Sequence, residues 1–261
     1  MLRLAVLGDP ISHSKSPAIH SAALAAAGIP GRYEARQVDP EGIKVAFEEV
    51  RRGALTGFNV TMPHKEMAAG LCDRLDPDAS RALSVNTVTL IDGEVWGFST
   101  DVGGITDSWG QLPITGPVLV LGAGGAAAAA LVALSDRPLY LAARRFGSGG
   151  ELASKLEERG MDLNFGEVRW GVPVIGSVLV NCTPLGMKGE PLPHDVLSTS
   201  NGLFDMAYGR DATPAVREVR SMGLPAVEGI DLLVAQAVRS FQIWTGTVPS
   251  IEVMRKAARN S

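Results

Sequence analysis

The stretch Val118-Leu119-Val120-Leu121-Gly122-Ala123-Gly124-Gly125-Ala126-Ala127 decides the fold. Four consecutive aliphatic residues read as a strand buried on both faces. Glycines then break the run, and the alanine-rich segment that continues to Leu134 reads as a helix. Strand, tight turn and helix carry the pattern Gly-x-Gly-x-x-Ala at their junction, which points to dinucleotide binding. The glycines allow a pyrophosphate to approach the backbone, and the helix N-terminus supplies N–H donors and the positive end of its dipole. Val118 to Leu134 contains no charge, but it is short for a membrane span and the glycines interrupt it.

Reading downstream, Leu139 to Ala142 is the next strand, and Ala143-Arg144-Arg145 follows it. A site for NAD usually places an acidic residue here to hold the ribose 2′-hydroxyl. Two arginines suit a 2′-phosphate instead, which points to NADP. Gly147-Ser148-Gly149-Gly150 reads as a flexible turn before a helix over Leu152 to Arg159. Val178 to Asn181 and Leu203 to Phe204 are further short strands. Asn181-Cys182-Thr183-Pro184-Leu185-Gly186-Met187 is a polar turn that by itself reads as structural. Strands alternating with helices imply a parallel, doubly wound sheet.

Upstream, Leu2 to Leu7 reads as a buried strand and Gly8 to Pro17 as a loop. Ser16 looks like an N-cap before Pro17, opening a helix that runs to Ala27 and stops at Gly28. Ser14 and Ser16 place two hydroxyls at this helix start, a geometry that can hold a carboxylate. A strand over Tyr33 to Val38, a helix near Pro40 to Arg51 and a strand over Thr56 to Val60 follow. In Gly57-Phe58-Asn59-Val60-Thr61-Met62-Pro63-His64-Lys65 the strand ends in polar Asn59 and Thr61, turns at Pro63, and puts Lys65 at the start of the next segment. Burial and a neighbouring charge can tune a lysine so placed for proton transfer. Thr87 to Ile91 and Val95 to Phe98 flank Asp92-Gly93, a hairpin signal. A new unit starts after Asp101, with a helix over Ile105 to Trp109. The last two helices, Leu232 to Thr245 and Ser250 to Ala258, have no strand between them and read as a return to the first unit.

The 261 residues suffice for one large domain or two modest ones, and 46% hydrophobic with 20% charged residues is an ordinary globular composition. A net charge of −4 without a basic stripe argues against nucleic acid as a partner. Cys72 and Cys182 cannot build a disulfide framework, and free thiols are expected. His13, His20, His64 and His194 are scattered, so no metal site is expected. The segment after Met1 carries no signal-peptide pattern, no membrane segment is expected, and the expected location is the cytoplasm.

Taken in order, Gly8 to His20, Asn59 to Lys65, Val85-Asn86-Thr87, Thr100-Asp101, Gly122 to Ala127, Asn181 to Met187, Asp205 to Tyr208, and Gln236 with Phe241 to Gly246 resemble the shikimate dehydrogenases, including their quinate/shikimate relatives. The resemblance covers nearly the whole chain. It implies a two-domain α/β protein. Residues 1–101, rejoined by 230–261, would form the substrate domain, and 102–229 a Rossmann-type NADP-binding domain. It implies reversible NADPH-dependent reduction of 3-dehydroshikimate to shikimate, in aromatic amino-acid biosynthesis, by a monomer or homodimer. Lys65 and Asp101 would be the catalytic pair, and which of them takes the proton is open. Ser14 and Ser16 would hold the substrate carboxylate. Asn59, Thr61, Asn86 and Gln236 would bond ring hydroxyls or the loops around them, with Tyr208 lining the cleft. Gly122, Gly124, Gly125, Ala126, Ala127, Arg144, Arg145, Thr183, Met187 and Gly229 would bind the cofactor.

The chain departs from the family at Ser21 and Ser99, where asparagine is usual, and at Arg145, where threonine or serine is usual. Arg210 replaces a proline and Leu232 a methionine. The Ser99 change puts the support of the Asp101 loop in question. A quinate or amino-analogue dehydrogenase is the alternative enzyme, and a non-catalytic NADPH-sensing regulator the alternative from another class.

Overall fold

Leu2–Gly8 forms β1, whose last five residues are buried, and Ser16–Ala26 forms α1. A computed structural model describes residues 1–209 and 211–261; Arg210, one of the departures above, lies outside the described residues. The chain continues through β2 (Gly31–Gln37), α2 (Pro40–Arg51), β3 (Gly57–Val60), α3 (Lys65–Leu71), β4 (Arg74–Leu75), α4 (Pro77–Ala82), β5 (Thr87–Ile91), β6 (Glu94–Phe98) and α5 (Thr100–Trp109). Then follow β7 (Val118–Leu121), α6 (Gly125–Ala133), β8 (Leu139–Ala143), α7 (Ser148–Glu157), β9 (Phe165–Arg169), β10 (Val178–Asn181), α8 (His194–Ser198), β11 (Gly202–Asp205), α9 (Pro214–Ser221) and β12 (Ala226–Val227). Two helices close the sequence, α10 (Gly229–Thr245) and α11 (Ile251–Asn260).

The chain divides into two compact units, Met1–Gly103 with Leu233–Ser261, and Gly104–Leu232. Both crossings lie inside helices, α5 and α10, so neither is a loop linker, although the first falls between Gly103 and Gly104.

The first unit holds a six-stranded sheet in the order β2-β1-β3-β5-β6-β4. β2, β1 and β3 are parallel, while β5 runs antiparallel to both β3 and β6. Asp92 and Gly93 sit at positive φ (50° and 83°), the backbone that a two-residue hairpin turn requires. Helix α2 shows how this unit gathers its core. Asp39 caps it by accepting from the Gly42 N–H, Pro40 starts it, and Ile43, Ala46, Phe47 and Val50 bury one stripe at helical spacing. Phe47 meets Phe58 of β3 edge-on, their ring centroids 5.3 Å apart. At the other end of the chain, Lys15 Nζ donates to the carbonyls of Ala258 and Ser261, tying the end of α11 to the start of α1.

The second unit is a fully parallel sheet in the order β12-β11-β10-β7-β8-β9. Renumbered from β7, this is the doubly wound order of dinucleotide-binding sheets. The central strands β7, β10 and β11 are buried throughout. Ala127 to Val132 of α6 are all buried, which small alanine side chains permit close to the sheet.

Several local expectations are corrected. Ser16 is the first residue of α1 and Lys15 its N-cap, without a side-chain cap bond. Helix α5 starts at Thr100, so Asp101 lies in its first turn. The glycine run does not remain a turn: α7 begins at Ser148 and includes Gly149 and Gly150. The carboxylate of Glu167, on β9, accepts from the N–H groups of Gly147, Gly149 and Gly150 and so caps this helix from a distant strand. A side chain at Gly149 would strike Leu141 and Glu167. The short elements β4, β9, β12, α4, α8 and α9 were not expected. Of these, α4 and α9 carried legible caps in Asp76-Pro77 and Thr213-Pro214. Among the described residues no helix is long and apolar enough to cross a membrane, and no group of three or more His, Cys, Asp or Glu is placed to hold a metal ion.

Candidate active site

In the first unit, Lys65 begins α3 and Asp101 sits in the first turn of α5. Lys65 Nζ donates to Asp101 Oδ2 at 2.5 Å, with both side chains largely withdrawn from water. Neighbouring backbone holds the lysine. His64 Nε2 lies 2.8 Å from the Val38 carbonyl oxygen, and the Lys65 carbonyl accepts from the Val85 N–H. The tail of β3 and the start of β5 are thereby clamped together.

Around the pair runs a buried polar network. Asn86 Oδ1 accepts from the Thr100 N–H at 2.8 Å and from the Thr100 hydroxyl at 3.0 Å, capping the start of α5 beside Asp101. Asn86 Nδ2 donates to Gln236 Oε1 at 3.5 Å, and Gln236 Nε2 donates to the Leu233 carbonyl. Asn59 Oδ1 accepts from the Tyr33 hydroxyl at 2.6 Å. Asn59 Nδ2 donates to the Asn86 carbonyl, Thr87 Oγ1 and Ser240 Oγ. With its amide hydrogens used inside the protein, Asn59 shapes the strand ends around the pair. Behind it, His20 is completely buried and stacks on Tyr33 at 4.4 Å, and Trp244 lies 5.3 Å from the same ring. Neither His20 nitrogen has a hydrogen-bond partner among the described residues, and burial lowers its pKa to about 3.

Ser14 and Ser16 stand together at the start of α1, where Ser14 Oγ accepts from the Ser16 N–H at 3.3 Å. Ser16 is buried and Ser14 half-buried. Thr61 leaves β3 with its N–H bonded to the Leu7 carbonyl, which brings the ends of β1 and β3 together.

In the second unit the turn between β7 and α6 needs glycine at Gly122, whose φ is 109°. A side chain there would press on the Cys182 backbone at 3.2 Å, whereas one at Gly124 would meet nothing within 4 Å. Gly124 is also the N-cap of α6, and no side chain among the described residues caps that helix. Open space over glycine backbone, facing the uncapped N–H groups of Gly125, Ala126 and Ala127, fits a cofactor pyrophosphate.

At the carboxyl edge of the same sheet, Asn181 and Asp205 hold the loops after β10 and β11. Asp205 accepts from Asn181 Nδ2 at 2.8 Å, the Ala207 N–H at 3.0 Å and the Thr213 hydroxyl at 2.5 Å. Asn181 Oδ1 accepts from the Thr183 N–H and hydroxyl. Burial raises the Asp205 carboxyl, against the lowering effect of these bonds. Met187 closes the Thr183 loop through its N–H to the Pro184 carbonyl. Tyr208 is half-buried, and removal from water raises its phenol. Gly229 starts α10 where a side chain would collide with the Ala207 carbonyl. Past β8 the two arginines differ. Arg145 forms a two-pronged ion pair with Glu151 at 2.7 and 2.5 Å, while exposed Arg144 has no protein partner among the described residues.

The shikimate dehydrogenase substrate binding domain model matches residues 6–88, and the shikimate 5′-dehydrogenase C-terminal domain model matches residues 229–259. A shikimate dehydrogenase (NADP(+)) of Archaeoglobus fulgidus is 37% identical over 99% of this chain and 98% of its own length. The chain belongs to the shikimate dehydrogenase family.

A second family relative, from Thermus thermophilus and also named shikimate dehydrogenase (NADP(+)), is 37% identical over 100% of this chain and 99% of its own. The shikimate 5-dehydrogenase from Thermus thermophilus, solved in complex with NADP(H) and shikimate, superposes with a TM-score of 0.87 at 35% identity, covering 100% of this chain and 99% of the other. The two-domain α/β expectation holds, with a substrate-binding unit at the N-terminus and a Rossmann-type NADP-binding unit.

Against the family pattern the departures sort themselves. Ser99 is buried and its hydroxyl has no partner among the described residues, but its N–H donates to Asp76 Oδ1 at 3.2 Å, so the loop before Asp101 is supported through the backbone. Leu232 is buried and Ser21 exposed. Residues that sequence reasoning missed are Tyr33, Asp76, Thr87, Thr100 and Ser240. The Asp76-Pro77 cap signal and the position of Ser240 one helical turn after Gln236 could have found two of them.

Proposed function

We propose that this chain is an NADP-dependent shikimate dehydrogenase that interconverts shikimate and 3-dehydroshikimate. The observation that carries the reading is the withdrawn Lys65–Asp101 pair, found in a family whose relatives are named for this reaction. Oxidation of a secondary alcohol needs a hydride acceptor and a group that takes the hydroxyl proton. The bound nicotinamide cofactor supplies the hydride chemistry. Lys65 handles the proton: its neutral amine accepts it from the alcohol, and in the reducing direction its ammonium donates it to the carbonyl oxygen. Asp101 accepts one N–H of Lys65 and leaves the rest of the nitrogen to face substrate, two N–H donors in the ammonium and one N–H with the lone pair in the amine, which makes it the orienting partner.

Ser14 and Ser16 bind the substrate carboxylate through their hydroxyls, and Thr61, Asn86 and Gln236 meet the ring hydroxyls. Asn59 acts through its neighbours, and Tyr208 lines the site. The Gly122 turn and the start of α6 hold the pyrophosphate, with Thr183, Met187 and Gly229 beside the cofactor. Arg144 meets the 2′-phosphate. The serine, asparagine and glutamine set recognises a hydroxylated ring acid without excluding a near relative of shikimate. NADP reduction should therefore be followed in parallel with shikimate and quinate. Faster turnover of shikimate is expected. No turnover of either by protein that binds NADPH would sink the reading.

A further inference from the structure

The carboxyl edge of the Rossmann sheet holds a cation that motif reading does not reach. We infer that Arg169 is a second determinant of cofactor choice, gripping the 2′-phosphate together with Arg144, with Phe146 as its support. The inference rests on the NADP reading above and deepens it.

β9 pairs with β8 so that Arg169 stands beside Ala143, the residue before Arg144. Two cations thus emerge from neighbouring strand ends. Arg145, the nearer candidate by sequence, is committed to Glu151 through both guanidinium prongs. Its charge is met locally, and releasing it for a ligand would break that pair. Arg169 has no carboxylate partner among the described residues. Glu167, two residues earlier and on the same side of β9, is the natural candidate to neutralise it. That carboxylate is drawn away to cap α7 through Gly147, Gly149 and Gly150.

The Arg169 guanidinium instead lies over the ring of Phe146, 4.9 Å from its centroid. Phe146 is 52% exposed, unusual for a phenylalanine, and the arginine covers one face. Stacking on an aromatic ring orients a guanidinium while leaving its N–H edge open to an anion. Arg144 and Arg169 therefore present two charges without a carboxylate partner among the described residues, and that of Arg169 is oriented by the ring. A phosphate monoester near neutral pH carries close to two negative charges and accepts paired N–H bonds, whereas a ribose hydroxyl offers neither.

The test is binding, measured by calorimetry on the full-length protein without substrate. The probes are 2′,5′-ADP and 5′-AMP, with NADPH and NADH as the full cofactors. Arg169→Gln should weaken 2′,5′-ADP and NADPH by about tenfold and leave 5′-AMP and NADH within about twofold, as expected for loss of one charge-assisted contact. Phe146→Ala should weaken the same two ligands by a smaller factor, because the guanidinium remains but loses its support. Arg169→Gln binding 2′,5′-ADP like the parent would overturn the inference alone. A parent that binds 5′-AMP as tightly as 2′,5′-ADP would overturn the NADP reading and this inference with it. Equal losses for all four ligands would mean that Arg169 shapes the edge rather than reads the phosphate, and would also overturn it.

Discussion

The two functional regions of this chain are built by opposite means. Around Lys65 and Asp101, buried side chains hold one another: Tyr33, Asn59, Asn86, Thr87, Thr100, Gln236 and Ser240 form one hydrogen-bonded set. At the edge proposed for the cofactor, backbone carries the design, through the Gly122 turn and the uncapped start of α6, and the side chains proposed to choose the ligand are exposed arginines. Buried networks fix geometry because every unpaired member is costly; exposed charges act through water and salt. Substitutions in the first region should therefore damage chemistry and stability, and those in the second should change ligand preference while sparing both.

The largest effect expected is at the pair. Lys65→Ala or Asp101→Ala should lower kcat by about 10²–10⁴, the span for a positioned acid or base. NADPH affinity should be unchanged. Parental turnover of shikimate by purified Lys65→Ala would break the comparison at its root.

Next comes acid stability. His20 is buried and neutral, with its pKa lowered from 6.5 to about 3. Below pH 6.5 the unfolded chain takes up a proton that the folded chain refuses, so stability falls as the pH drops towards 3. The slope approaches about 1.4 kcal/mol per pH unit for this one group. Urea unfolding of the parent and of His20→Phe should diverge between pH 6.5 and 4.5, the parent losing about 2–3 kcal/mol more from this source. Parallel pH curves would mean that another buried group carries the acid sensitivity.

At the cofactor edge, Arg144→Ala should raise the Michaelis constant for NADP about tenfold and leave NAD use nearly unaltered. The NADP preference of the parent should shrink with added salt. A parent enzyme that prefers NAD would contradict the role given to this arginine.

The smallest effect sharpens the contrast between neighbouring arginines. Arg145→Ala should change the NADP Michaelis constant by less than about threefold, because Glu151 already holds that side chain in an exposed pair. A loss as large as that at Arg144 would show that the ion pair opens for the ligand.

Much of this was legible in the sequence because it is local. Four aliphatic residues, a glycine turn and an alanine-rich run specify strand, turn and helix within one stretch of chain, and the pattern repeats into a parallel sheet. Asp92-Gly93 prescribes its hairpin, and Pro63 with the polar end of β3 announces Lys65. What the tertiary structure alone decided involves partners far apart in the chain. Lys65 meets Asp101 only when β3 and β6, with β5 between them, bring the starts of α3 and α5 to the same edge of the sheet. Glu167 turns a glycine run that reads as flexible into the start of α7, and in doing so leaves Arg169 without a carboxylate. Glu151 takes Arg145. Asn59 spends its amide on Asn86, Thr87 and Ser240. Local sequence sets backbone preference over a few residues, whereas a charged or polar side chain takes its role from the partner that folding brings within about 3 Å.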